Sequence, residues 1–387
     1  MELFNDIRPY NDAEVSDILK RLSKDKSFHN ILVKYNYPLL SKYCGWLLTP
    51  LVGLILANKL NKISKVDDFQ QIVAKYMDKM MQETTDSVTI SGIDNLDKKK
   101  SYTFISNHRD IALDPALINY ALHKKDFETC RIAIGDNLID LPFVQDLMRL
   151  NKSFIVKRSI ENRRQKLQEL NKLSAYISNC IETNNSLWIA QSEGRAKDGN
   201  DITESAIIKM LELTHRKEED SLNFTVEKLN IIPVSISYEY DPCDYAKAKE
   251  LFEYDKQGSY TKQENEDMSS IAMGIKGYKG NIHIAFGNKI TGNYKTAQEV
   301  ATAIDKQIHG LYRCHPNNLY AWEMLKKTNQ QENFLIDETQ ANIEITGFSD
   351  EKYQKFTQRV TDCNQKHLPW LLKMYAYPLI NRYSNNF

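Results

Sequence analysis

The stretch Tyr102-Thr103-Phe104-Ile105-Ser106-Asn107-His108-Arg109-Asp110-Ile111-Ala112-Leu113-Asp114-Pro115 organises the chain. A short apolar strand, 102–105, runs into a polar turn, and a helix-like run follows from Pro115 to Leu122. Two readings of the turn stand side by side. A histidine at a strand end, with a carboxylate at the following helix start, builds a general base whose imidazole is held by an acid. Asp114 before Pro115 is also what an ordinary helix cap looks like, with His108 merely satisfying a loop.

Working outward, strand-like segments at 88–91, 131–134, 153–156, 186–190, 231–238 and 282–286 join 102–105. Helical periodicity occupies 115–124, 142–150, 160–183, 203–215 and 296–311. Alternation of this kind predicts an α/β layer fold with a largely parallel sheet flanked by helices, and ligand sites at strand ends. There is no internal repeat and no glycine-rich phosphate loop, so nucleotide binding has no support. The polar segment 255–270 reads as a mobile insertion.

Before the first strand the texture is helical. Phe69, Ile72, Val73, Tyr76, Met77, Met80 and Met81 recur on one helical stripe, a pattern that usually packs into a core. Cys44–Ala57 is an uncharged run of 14 residues, too short for the ~20 that span a bilayer. Lys42 precedes it, and Lys59, Lys62 and Lys65 follow. It reads equally as a hairpin dipping into one leaflet with lysines at headgroup level or as a buried core helix. At the other end, His367 to Tyr383 mixes aromatics with isolated cations, which suits either a headgroup interface or a segment docked on the core. The chain divides on this reading into an N-terminal helical, membrane-dipping unit (1–85), an α/β domain (86–330) and a C-terminal extension with an aromatic tail (331–387).

Composition narrows the class. Lys plus Arg and Asp plus Glu both number 51, so the formal net charge is zero and no global footprint for nucleic acid exists. Six cysteines without CxxC spacing argue against a zinc site and against a disulfide framework, and read as reduced thiols. No metal is expected. The first dozen residues have neither a basic nor an apolar leader region, so no export is inferred.

Three further stretches sit at strand ends. Phe154-Ile155-Val156-Lys157-Arg158 delivers two cations, Gln191-Ser192-Glu193-Gly194-Arg195-Ala196-Lys197 is a glycine turn with another arginine, and Ile231-Ile232-Pro233-Val234 is an apolar strand carrying a proline. In this order, after an Asn-His element and a downstream Asp, the chain resembles the glycerolipid acyltransferase superfamily, the glycerol-3-phosphate and 1-acylglycerol-3-phosphate acyltransferases, over roughly 86–290. Val88 to Leu96 is similar to that family's lead-in, Asn107-His108 with Asp114 to its first block, and 154–158, Glu193-Gly194-Arg195 and Ile232-Pro233-Val234 to its second, third and fourth. Two departures mark a divergent branch. Five residues separate His108 from Asp114 where the family has four, and the third block has Ser192 for proline, with Arg195 directly after Gly194.

The resemblance implies an acyltransferase that moves a fatty acyl group from acyl-CoA or acyl carrier protein to a hydroxyl of a lysophospholipid such as 1-acylglycerol-3-phosphate. It needs no cofactor beyond that thioester co-substrate. His108 would act as general base, with Asp114 preferred to Asp110 as its partner because its place before the helix matches the family's. Arg158 and Arg195 would grip an anionic headgroup, Lys157 and Lys197 would add weaker point charges, and Glu193, beside Gly194, would orient a cation or the acceptor hydroxyl. The expected partners are a membrane lipid acceptor, the thioester carrier and a membrane surface, and the expected place is the cytoplasmic face of the cell membrane, peripheral or monotopic. An amino-acid-containing lysolipid as acceptor, or a non-catalytic lipid-binding homologue, are the alternatives.

Overall fold

The computed structural model describes residues 2–36, 49–50, 52–138, 141–263, 266–327 and 336–384. All seven expected strands form: β1 (Thr85–Ser91), β2 (Thr103–Ser106), β3 (Arg131–Gly135), β4 (Ser153–Val156), β5 (Leu187–Ala190), β6 (Ile231–Tyr238) and β7 (Gly280–Phe286). Backbone contacts divide the chain into two compact units, 1–77 with 130–173, and 78–129 with 174–387.

In the larger unit five strands run in the order β1-β7-β6-β2-β5. β1 pairs parallel with β7, and β2 pairs parallel with both β5 and β6; β6 and β7 are antiparallel. β2 and β6 are buried at every position, the polar Thr103, Ser106, Ser235 and Ser237 included. The helix Leu113–Lys124 packs on β7 and the helix Ala297–Leu311 on β6.

The aromatic tail belongs to this unit's core. It forms the helix Leu368–Tyr383, whose Leu371, Leu372, Tyr375 and Leu379 are buried beside Trp322 and Phe356. The Tyr375 hydroxyl donates to Asp244 at 2.7 Å, and Trp370 Nε1 donates to Asp255 at 2.6 Å. Docking on the core is thus what becomes of these aromatics, because their polar tips find protein partners.

The segment expected as a mobile insertion is helical at both ends. The helix Asp244–Gln257 closes on Gly258 with φ of 73°, and the helix Glu266–Lys276 follows. Ser270 and Gly274, four residues apart, are its buried positions. Their small side chains let it approach the turn after β2 so closely that a Cβ on Gly274 would lie 2.3 Å from Asp110 Oδ2. Polar composition hid this helix, since its contact face is made of small residues and not of aliphatics.

In the smaller unit β3 and β4 pair parallel, and the backbone N–H of Ile155 reaches Ile7 at 2.9 Å. Val15, Ile18, Leu19 and Leu22 pack with Ile63, Val66, Phe143 and Leu150. Residues 44–48 and 51 of the Cys44–Ala57 run lie outside the described residues, while 49–50 and 52–60 are helical. Leu54 is 64% exposed and Ile55 48%. The stripe on the helix Val66–Thr84 is split, with Met77 and Met81 buried but Tyr76 71% exposed. Among the described residues no helix is long and apolar enough to cross a membrane.

Candidate active site

The turn after β2 is cross-braced at nearly every polar atom. Asn107 is fully buried; its amide donates to the Ile236 carbonyl at 2.9 Å and its Oδ1 accepts the Ile236 N–H at 2.8 Å, tying the turn to β6. Arg109 turns inward and grips Asp201, Nε to Oδ1 at 2.9 Å and Nη2 to Oδ2 at 2.6 Å, while Nη2 also reaches the Gly199 carbonyl at 3.0 Å. Burial opposes its charge, but Asp201 and the neighbouring Tyr312 and Asp241 outweigh that and hold it firmly protonated. Lys247, also buried, donates to the Arg109 carbonyl at 2.6 Å and pairs with Asp241. Buried charges are tolerated here because each has a partner in bonding range.

Asp114 lies in the first turn of the helix Leu113–Lys124 and is fully buried, so it is not a surface cap. Its Oδ2 accepts His108 Nδ1 at 2.9 Å together with the backbone N–H groups of Arg109 at 2.6 Å and Asp110 at 2.9 Å. Its Oδ1 accepts the Tyr238 hydroxyl at 2.7 Å. Burial and the adjacent Asp114 and Asp110 charges push the Tyr238 phenol well above its ordinary range, so it stays a donor. Four donors on one carboxylate fix its orientation.

The histidine therefore meets Asp114 and not Asp110. Asp110 Oδ1 accepts the N–H groups of Ala112 and Leu113, both at 2.9 Å, and closes a tight turn just before the helix. Burial, and then the Asp114 charge, raise the Asp110 carboxyl above its usual value.

The His108 side chain is 15% exposed, and its Nε2 makes no hydrogen bond among the described residues. Trp188 on β5 stands edge-on to the ring, centroids 5.8 Å apart, and is itself fixed by Nε1 to Ser106 Oγ at 2.9 Å. An imidazole with one nitrogen on a buried carboxylate and the other open to a ligand is the arrangement that accepts a proton from a bound hydroxyl.

The turn after β5 lies alongside, joined by the N–H of Ala196 to the His108 carbonyl at 2.8 Å. Ser192 Oγ donates to the Gly194 carbonyl at 2.7 Å and closes it locally, the part played by a hydroxyl in a short polar turn. Arg195 is half-buried, and its guanidinium makes no hydrogen bond or ion pair among the described residues. Glu193 is exposed, and Lys197 is already paired with Glu250. Gln191, fully buried at the strand end, has an amide with neither atom partnered.

In the smaller unit the Arg158 N–H donates to Asp136 Oδ1 at 3.0 Å. Its neighbour Lys157 is paired with Asp6 at 2.5 Å and Glu169 at 3.1 Å, so it is not a spare point charge. No three His, Cys, Asp or Glu side chains among the described residues converge as a metal site. Burial pushes the thiols of Cys130, Cys243 and Cys314 up to about 12, far from nucleophilic reactivity.

Sequence reasoning missed Tyr238, Asp201 and Trp188. Tyr238 had a usable signal, since Val234, Ile236 and Tyr238 alternate along one face of β6. Asp201 had none, because its meaning depends on a partner 92 positions away.

Comparison with known proteins agrees with this geometry. Residues 87–237 match the family model described as Acyltransferase. The stretch is an acyltransferase domain, and its ordered blocks from Asn107-His108 to Ile232-Pro233-Val234 resemble those of the glycerolipid O-acyltransferases. No curated protein matches the chain. Among solved structures it is similar to the 1-acyl-sn-glycerophosphate acyltransferase PlsC from Thermotoga maritima, at 14% identity and a TM-score of 0.37, over 73% of this chain and 94% of that one.

Proposed function

We propose that the protein transfers a fatty acyl group from an acyl-CoA or acyl carrier protein thioester to a hydroxyl of a lysophospholipid such as 1-acylglycerol-3-phosphate. The observation that carries this reading is His108, with Nδ1 on the buried Asp114 carboxylate at 2.9 Å and Nε2 left for a ligand. His108 Nε2 takes the acceptor proton as the hydroxyl oxygen attacks the thioester carbonyl. Asp114 holds the tautomer with Nδ1 protonated and stabilises the imidazolium, which then returns its proton to the departing thiolate. No acyl-enzyme is required. Arg195, whose guanidinium has no hydrogen bond or ion pair among the described residues, suits an anionic headgroup, and Glu193 the orientation of the acceptor. Arg158 is proposed for an anionic headgroup on its place in the second block alone. A purely lipid-binding homologue has less support, since such a protein has no need of an oriented imidazole.

The proposed place of work is the cytoplasmic face of the cell membrane, as a peripheral or monotopic protein. The support is the exposed apolar side chains Leu54, Ile55 and Tyr76 on the smaller unit, with the exposed Lys59, Lys62 and Lys65 following Leu54 and Ile55 in sequence. The test of the chemistry is incubation of purified protein with labelled acyl-CoA and acyl carrier protein against a panel of lysolipids, with the product identified by mass. A panel that yields no acylated lipid overturns the reading. For the membrane, release by detergent and not by high salt is expected, because apolar insertion is not screened as surface charge is; a freely soluble protein in low salt contradicts it.

A further inference from the structure

The larger unit carries a second cavity on the sheet face opposite His108. In the antiparallel pairing of β6 and β7, Tyr238 sits opposite Ile282 and Ser237 opposite His283. Paired residues share a face and successive residues alternate. Tyr238 faces Asp114, so Ser237 and His283 face the other way. There a cavity of about 530 Å³ opens, its wall including His283, Arg313, His315, Glu344, Lys352 and Arg382. None of the His108 site residues lines it, and its size is that of small-molecule sites.

Its acceptors are already engaged. Glu344 Oε2 takes Arg382 Nη2 and the Tyr383 hydroxyl, both at 2.9 Å, and Oε1 takes Gln340 Nε2 at 2.8 Å. Behind the wall Glu239 takes Lys352 Nζ at 3.0 Å and both the backbone and side-chain N–H of Asn281, at 2.9 and 2.6 Å.

Its donors are not. Arg313 is exposed at the cavity mouth, and its guanidinium makes no hydrogen bond or ion pair among the described residues; its backbone N–H donates to Ser237 Oγ at 2.8 Å. His315 is 5% exposed, and its Nε2 is buried without a partner. His283 is clamped between the Thr89 and Ser91 hydroxyls at 2.7 and 3.0 Å. Burial, helped by the positive charge of Arg313, lowers both imidazoles to about 4, so the two rings are neutral at pH 7 and do not repel a cation beside them. Three cations face two saturated carboxylates, which leaves the Arg313 charge uncompensated. A buried polar atom without a partner, next to an unpaired guanidinium in a cavity, marks a place for an acceptor that the protein does not supply.

We infer that this cavity is a second binding site, for a small organic anion whose phosphate or carboxylate meets Arg313 and His315 Nε2. The inference is independent of the acyl-transfer reading. It is tested by calorimetric titration of the full chain with inorganic phosphate and with citrate, in an Arg195→Ala background so that the proposed acceptor site does not contribute. Saturable binding of at least one anion is expected, weakened about tenfold or more by adding Arg313→Gln, the scale of one charge-assisted hydrogen bond. Amide hydrogen exchange in 310–315 should slow when the anion binds, and circular dichroism should show the Arg313→Gln protein folded. A parallel arm measures cosedimentation with phosphatidylcholine vesicles containing phosphatidate. Loss of vesicle binding in Arg313→Gln assigns the anion to a lipid headgroup, and unchanged vesicle binding assigns it to a soluble molecule. No saturable anion binding, or binding that Arg313→Gln leaves unaltered, overturns the site.

Discussion

Two turns leave adjacent parallel strands, and they are built differently. After β2, Asn107, Arg109, Asp110 and Asp114 all have protein partners, and only His108 Nε2 remains open. After β5, the Arg195 guanidinium and the side-chain amide of Gln191 have none among the described residues, and none of these stands within 4 Å of where a Cβ on Gly194 would lie. On the proposed reading the first turn holds a proton acceptor at a set angle, which calls for rigidity, and the second offers polar groups to the acceptor.

The sharpest way to break that division is His108→Ala. Removal of the general base should lower transfer by ~10²–10⁴-fold while far-ultraviolet dichroism stays unchanged. A folded variant with wild-type turnover would assign the base elsewhere.

Asp114→Asn comes next. The amide cannot replace a carboxylate that accepts four donors, so kcat should fall roughly 10–100-fold, the worth of a charged hydrogen bond. Asp110→Asn keeps an acceptor for Ala112 and Leu113 and should cost far less. A reversed order in the steady-state rates would move the imidazole's partner to Asp110.

Arg195→Ala examines the second turn. It should raise the acceptor KM by about ten- to a hundredfold with a smaller change in kcat. If the thioester KM rises in its place, the guanidinium serves the donor.

The smallest effect concerns the bracing alone. Lys279 is fully buried and donates to Thr84 Oγ1 at 2.9 Å and to the Gly277 carbonyl at 2.7 Å, securing the end of the helix that covers Asp110. Burial lowers its pKa to about 8 from 10.5. Between those values the unfolded chain binds more protons than the folded one, so stability rises with pH across that window. Urea unfolding at pH 7.5 and pH 10 should show this rise in the wild type and a smaller one in Lys279→Met, with transfer activity little altered. Equal rises in both proteins would remove Lys279 from the account.

Much of this was legible in the chain itself. The seven strands fall where β-rich apolar runs between turn residues put them, because strand formation there depends on local pattern. His108 and Asp114 were legible as a pair because both lie within one short turn. Arg195 was legible only through the order of the blocks, and its want of a partner among the described residues was not legible at all. The helix Glu266–Lys276 was hidden because it packs through Ser270 and Gly274. Whether the tail touched lipid or core was open until Tyr375 and Trp370 were seen to bond Asp244 and Asp255.

By itself, then, the sequence determined the alternation of strands and helices, the parallel bias of the sheet, and the histidine and carboxylate at the end of β2, all of which follow from periodicity and short-range spacing. Only the tertiary structure decided that Asp114 and not Asp110 meets the imidazole, that Tyr238 shares that carboxylate, that Arg109 is spent on Asp201, and that a cavity lined by Arg313 and His315 lies on the opposite face. Each of these joins residues far apart in the chain or chooses between near-equal neighbours. Such choices are made by burial, which forces every polar group to find a partner in space, and no local pattern records which partner it finds.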